Sequence, residues 1–194
     1  MSFKDFEKVI HAFISSWLDY CNGLYVGVGV SQTNRLQLVQ KAAARLLTGS
    51  RKINPITPIL AFLHWLPMHF SIDFKILLFV FKALHGQTPP YLSELLVIYT
   101  PPRSLRSADQ MLLTVPRSRL KNSGDQAFAT ASARLWNNLR LHIRISPAID
   151  VFLKTSLKSH FYSLAFKTPD LEFYCLILLL LQVVVHHFGQ LVVF

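Results

Sequence analysis

The chain has 194 residues, 52% of them apolar, with 15 Phe and only 7 Gly. That length gives room for one domain or two small helical ones, and the scarcity of glycine argues against a sheet-rich fold full of tight turns. A net charge of +10 points to polyanionic partners, while two distant cysteines, Cys21 and Cys175, exclude a disulfide scaffold and a Cys-x-x-Cys zinc site.

Phe3, Phe6, Ile10, Phe13 and Trp17 recur at three- and four-residue spacing and predict an amphipathic helix over 3–18, stopped by Asn22-Gly23. A second helix is expected over 32–48, with Leu36, Val39, Ala43, Leu46 and Leu47 on one arc and Gly49 closing it. Residues 51–58 read as a basic, proline-broken connector. A third helix is expected over 68–85, apolar nearly all round and therefore central to the core. Pro89 and Pro90 then introduce a short helix over 91–97.

Pro101 and Pro102 open a stretch rich in Pro, Ser and Arg that runs to Gly124, the best linker candidate, in which 111–115 reads as a short strand or an extended arm. Asp125 is suited to cap a helix over 126–139, with Phe128, Ala131, Leu135 and Leu139 inward. Ser146-Pro147 starts a last helix whose apolar face is Ile149, Phe152, Leu153, Leu157, Phe161 and Leu164. The expected fold is thus mainly α: a helical bundle over 1–97, a basic linker over 98–124 and a small helical subdomain over 125–167. Residues 168–194 form a tail that is uncharged from Phe173 onward, long enough as a helix to reach across about 30 Å of hydrocarbon.

The positive charge is not evenly spread. Arg35, Lys41, Arg45, Arg51 and Lys52 fall in one stretch without an acid. From Arg103 to Arg144 there are eight basic residues against Asp109 and Asp125. Of these, Arg103, Arg106, Arg117, Arg119 and Lys121 lie in the Pro/Ser-rich segment, which can mould to a phosphate backbone; guanidinium groups pair with phosphate through two parallel bonds. The expected partner is RNA or single-stranded DNA, bound weakly, without sequence preference and with strong salt dependence. Trp65 and Trp136 adjoin apolar stripes and are expected in the core rather than stacked on bases.

A series of strings resembles one family. They are Leu-Asp-Tyr-Cys-Asn (18–22), Arg-Leu-Gln-Leu-Val-Gln-Lys-Ala-Ala-Ala-Arg-Leu-Leu-Thr (35–48), Ile-Thr-Pro-Ile-Leu (56–60), Leu-His-Trp-Leu-Pro (63–67), Phe-Lys-Ala-Leu (81–84), Pro-Tyr-Leu-Ser-Glu-Leu-Leu (90–96) and Leu-Trp-Asn (135–137). In this order they resemble the region downstream of the palm in the reverse transcriptase of vertebrate LINE-type (non-LTR) retrotransposons, over roughly residues 9–166. The resemblance implies a helical, thumb-side region that helps hold template RNA and primed DNA. The sequence departs from the family pattern at Trp17 and Ser71, where Arg is usual, at Asn54-Pro55, where a His is common, and at Arg140, where Pro is usual. An alternative origin of such departures is a transposon-derived product without function.

No enzyme is expected. A polymerase needs two metal ions held by aspartates, one pair of them adjacent in sequence, and none of Asp5, Asp19, Asp73, Asp109, Asp125, Asp150 and Asp170 has an aspartate neighbour. Gly27-Val28-Gly29 lacks the third glycine of a dinucleotide site, and the eight histidines have no carboxylate or thiol cluster beside them. No metal, cofactor or small-molecule substrate is therefore expected. The composition favours an intracellular, reducing compartment, with a membrane association through 173–194 as the alternative.

Overall fold

The computed structural model describes residues 3–101, 103, 110–117, 124 and 127–166. The chain is mainly helical, as expected, and divides into two compact units, 1–145 and 146–194. The first helical run is α1 (Phe3–Ile10), a π-helical turn (His11–Ser15) and α2 (Ser16–Asp19). It is followed by a 3-10 turn (Asn22–Tyr25), α3 (Val30–Thr48), α4 (Ile56–Phe62), α5 (Met68–Leu84) and α6 (Pro90–Ser93). After the Pro/Ser-rich stretch come α7 (Phe128–Asn138) and the single turn α8 (Leu141–Arg144). The second unit contains a π-helical segment (Val151–Leu157) that runs into α9 (Lys158–Phe166).

Helix α5 is the centre of the first unit. Met68, Ile72, Ile76, Leu77, Val80, Phe81 and Ala83 are all buried, against α3, α6, α7 and the 3-10 turn. A helix apolar on several faces is stable only when surrounded, and this one is. Gly23 lies so close to it that an added Cβ would already touch Ile76 and Phe79 at 3.6 and 3.7 Å.

Helix α3 ends as its sequence predicts. Gly49 takes a left-handed conformation at φ 64° and its N–H, like that of Ser50, donates to the carbonyl of Arg45. Its buried face, however, matches the expected one only at Ala43 and Leu47. Gln40, Ala43, Ala44 and Leu47 are buried, while Val39 is 47% and Leu46 59% exposed. The reason lies in α5, whose start at Pro67 has no side-chain cap of its own. Gln37 Oε1 accepts from the backbone N–H of Met68 at 2.8 Å, and Gln40 Nε2 donates to the carbonyl of Leu66 at 2.8 Å. The two glutamines also bond each other at 2.7 Å. Satisfying an orphan helix N–H and a buried carbonyl together with the small, closely approaching Ala43 and Ala44 outweighs the burial of Val39 and Leu46.

The first helix also departs from its expected stripe. Ile10 is buried, but Phe13 and Trp17 are 73% and 76% exposed. The π-helical turn between them takes one more residue per turn than an α-helix, so the residues that follow are rotated away from the face that Ile10 sets. The run stops at Asp19, and Cys21 takes a left-handed conformation at φ 55° that reverses the chain. Helix α4 occupies part of the expected connector, with Pro55 immediately before its first residue and Pro58 in its first turn, where a missing N–H costs nothing.

The division into compact units falls elsewhere than at the expected boundary 124/125. Helix α7 packs on α5 and belongs to the first unit, so the division falls between Ile145 and Ser146. Part of the expected linker is likewise an arm fastened to that unit. Leu113 pairs with Ile98 in an isolated antiparallel bridge, with Tyr99 N–H to the Leu112 carbonyl and Thr114 N–H to the Val97 carbonyl, both at 2.8 Å. In the second unit Phe152, Leu157 and Phe161 are buried as expected, joined by Tyr162, whereas Leu164 is half exposed. The expected cap at Asp125 and the apolar tail 173–194 lie outside the described residues. Among the described residues no helix is long and apolar enough to cross a membrane.

Candidate nucleic-acid interface

Five of the ten basic residues singled out in the sequence belong to α3 and the loop after it. Arg35 on α3 and Arg51 and Lys52 in the loop are exposed; Lys41 and Arg45 on α3 are half-buried. Lys41 and Arg45 are four residues apart and so are neighbours along the helix, while Arg35 lies about 80° round the axis from Arg45 at the usual rotation per residue. The loop is tied back to the helix by Arg45, whose Nη2 donates to the carbonyl of Asn54 at 3.4 Å. Arg45 is thus partly committed to the fold, and its Nε is buried without a partner. The charge left outward comes from Arg35, Arg51, Lys52 and the exposed part of Lys41.

No acid occurs anywhere from Tyr20 to Ile72, so nothing in that window offsets these cations. The nearest ion pair, Lys75 with Asp19 at 2.8 Å, joins α5 to the end of α2 and neutralises itself. Of the second group, Arg103 and Arg117 are exposed on the segments either side of the 98–113 bridge. Arg106, Arg119 and Lys121 lie outside the described residues.

The anchoring of that arm is the feature that periodicity could not reveal. Asn137 uses its side-chain amide as a substitute strand: Oδ1 accepts from the N–H of Leu113 and Nδ2 donates to the carbonyl of the same residue, both at 2.8 Å. Trp136, 0% exposed, donates from Nε1 to the carbonyl of Met111 at 2.8 Å. The Leu-Trp-Asn string therefore holds in place the peptide 111–113, a few residues before Arg117. Trp136 is in the core, as expected. Trp65 is only half-buried; His11 meets it edge-on at 5.7 Å, and both line a cavity of about 170 Å³ that also touches Asp19, Asn22 and Gln40.

Three ionisable groups whose pKa burial shifts fall outside these sets. Burial pushes the carboxyl of Asp73, on α5, up to about 6 and lowers the pKa of His69 one turn before it. Arg144 is buried with Nε and Nη1 lacking partners, and burial lowers its pKa too. It is the last residue of α8 rather than a surface cation, and it adds nothing to the outward charge. Among the described residues no three His, Cys, Asp or Glu side chains converge as metal ligands would. No protein-family model, curated protein or solved structure matches the chain.

Proposed function

We propose that the chain is a non-catalytic segment of a LINE-type reverse transcriptase that holds RNA or single-stranded DNA by its phosphates. The observation that carries the reading is the acid-free window 20–72, in which Arg35, Arg51 and Lys52 stand exposed on α3 and the loop fastened to it. Cations presented without neighbouring carboxylates attract a polyanion and release its counterions on contact. The exposed Arg103 and Arg117 extend the same chemistry to the arm. The family origin rests on the ordered series of sequence strings, and the absence of an adjacent aspartate pair supports a binding rather than a synthetic role.

The test is fluorescence anisotropy of the full chain with labelled single-stranded RNA and DNA over a range of salt. Binding should weaken steeply as salt rises and should be similar on unrelated sequences apart from local base effects. Replacing Arg35, Arg51 and Lys52 by Ala should lower affinity on all of them and flatten the salt slope by roughly 2, for three phosphate contacts on a single strand. Affinity and slope unchanged by the triple substitution would show that these cations only solvate the surface.

A further inference from the structure

We infer that the cavity beside the first helix is a nucleobase pocket, and that the base it fits best is guanine, with its N–H edge on Asp19 and its ring against Trp65. The inference rests on the nucleic-acid reading and adds to it a contact that distinguishes bases. The cavity measures about 170 Å³; cavities of about 150 Å³ admit a benzene ring, so one planar ring system is the right scale of occupant. Its walls combine an aromatic face with polar groups. Trp65 and His11 supply the rings, and base–aromatic stacking is tolerant of sequence.

The polar groups are what select an occupant. Asp19 Oδ1 accepts from Asn22 Nδ2 at 3.0 Å and Oδ2 accepts from Lys75 Nζ at 2.8 Å. Each carboxylate oxygen keeps a second acceptor position. A carboxylate only accepts, so the bond to Asp19 fixes which end of the Asn22 amide is nitrogen. The remaining end, Oδ1, is an acceptor; Asn22 is 1% exposed and this oxygen has no partner. Gln40 is committed at both ends of its amide, Nε2 donating to the Leu66 carbonyl and Oε1 accepting from Gln37, and keeps one donor and one acceptor position. Among the lining side chains the Asp19 carboxylate is the group that can receive two donors at once. Guanine presents two adjacent donors, N1–H and the N2 amine, in the spacing a carboxylate receives. Adenine, cytosine and uracil do not place two donors side by side on one edge. Lys75 neutralises Asp19, so the carboxylate does not confront the phosphodiester as an unpaired negative charge.

The local chain is arranged to make this wall. The left-handed conformation at Cys21 reverses the backbone directly after α2, which brings Asn22 back beside Asp19 and the 3-10 turn onto α5. The Asp19 carboxylate is thus held by a turn, by an ion pair to α5 and by its bond from Asn22.

The experiment compares nine-nucleotide RNAs at one salt concentration on the full chain: all uridine, and the same with a central guanosine or a central adenosine. A central guanosine should bind about tenfold tighter than either, the discrimination of one good two-point contact. Asp19→Asn should remove that preference and leave the salt slope unchanged. Because this change also breaks the ion pair to Lys75, Ser15→Phe, which fills the cavity and keeps Asp19, Lys75 and Asn22, should remove it as well with unchanged circular dichroism. Guanosine monophosphate should quench tryptophan emission of the wild type and not of Trp65→Phe, and uridine monophosphate should not quench. Equal affinity for the three RNAs, or a guanosine preference that survives both Asp19→Asn and Ser15→Phe, overturns the pocket alone and leaves phosphate binding standing. Quenching by guanosine monophosphate in a chain that binds no RNA supports the pocket and overturns the phosphate reading instead.

Discussion

Helix α5 and the arm around Leu113 are both held inside the first unit, by different forces. Helix α5 is fixed by apolar burial spread over seven side chains, each contributing through the area it removes from water. The arm has one buried apolar residue, Leu113, and is otherwise fixed by backbone hydrogen bonds to 97–99 and by two side chains of α7. Burial is distributed and forgiving; the arm depends on a few directional bonds whose loss leaves backbone polar groups without partners. The difference predicts where the unit is robust and where a single change detaches a segment.

The sharpest test is the residue that serves both regions. Trp136 is fully buried and also bonds the carbonyl of Met111. Trp136→Ala should cost about 3–5 kcal/mol, a cavity the size of an indole plus one orphaned carbonyl, read as a fall in the chemical denaturation midpoint. If the variant keeps wild-type stability, the packing of α7 on α5 is not part of the core.

Asn137→Ala separates the arm from the core. It removes no core volume yet leaves both the N–H and the carbonyl of Leu113 without their α7 partner. The expected cost is about 2 kcal/mol. Hydrogen exchange should quicken at 112–114 while the amides of α5 stay protected. Loss of protection in both regions together would mean that the arm and α5 open as one cooperative body.

The smallest effect concerns α5 itself, which carries one carboxyl that burial disfavours. Asp73 has a pKa raised from 3.8 to about 6. A carboxyl whose folded pKa lies above its unfolded value favours the fold fully below about pH 4, and that contribution is lost as pH rises through 6. Asp73→Asn should therefore stabilise the chain at pH 7 by about 1–2 kcal/mol, allowing for the part of the side chain that stays wet. It should also flatten the decline in stability between pH 4 and 7. An unchanged pH profile would place the charge of Asp73 in water and leave α5 apolar in effect as well as in pattern.

Chain order and helix type were legible because they depend on neighbours in sequence. The apolar spacing of α5, the glycine that ends α3 and the prolines that start α6 act within a turn or two of where they stand. The cluster of cations over 35–52 was equally plain, since charge needs no geometry to be counted. What it lacked was the commitment of Arg45 to the carbonyl of Asn54, which takes part of one cation out of the candidate interface.

Facing and boundaries were decided by contacts across the fold. Val39 and Leu46 have the right spacing for burial, yet Gln37 and Gln40 turn inward because the start of α5, 26 to 31 residues away, needs their amides. Phe13 and Trp17 keep helical spacing but lie within and just after a π-helical turn, and periodicity read at a constant angle per residue cannot register the extra residue. The Pro/Ser/Arg composition of 98–124 marks a linker by pattern; it does not state that Asn137, 24 residues beyond Leu113, bonds both the N–H and the carbonyl of that residue. The cavity that joins His11, Asp19 and Asn22 to Gln40 and Trp65 has the same origin, since its residues come from the first helical run, α3 and the turn before α5, which meet only in the folded chain. The sequence by itself determined which segments coil and where charge accumulates. Tertiary structure decided which face of each helix is dry, because buried polar groups must be satisfied at a distance before apolar spacing is honoured.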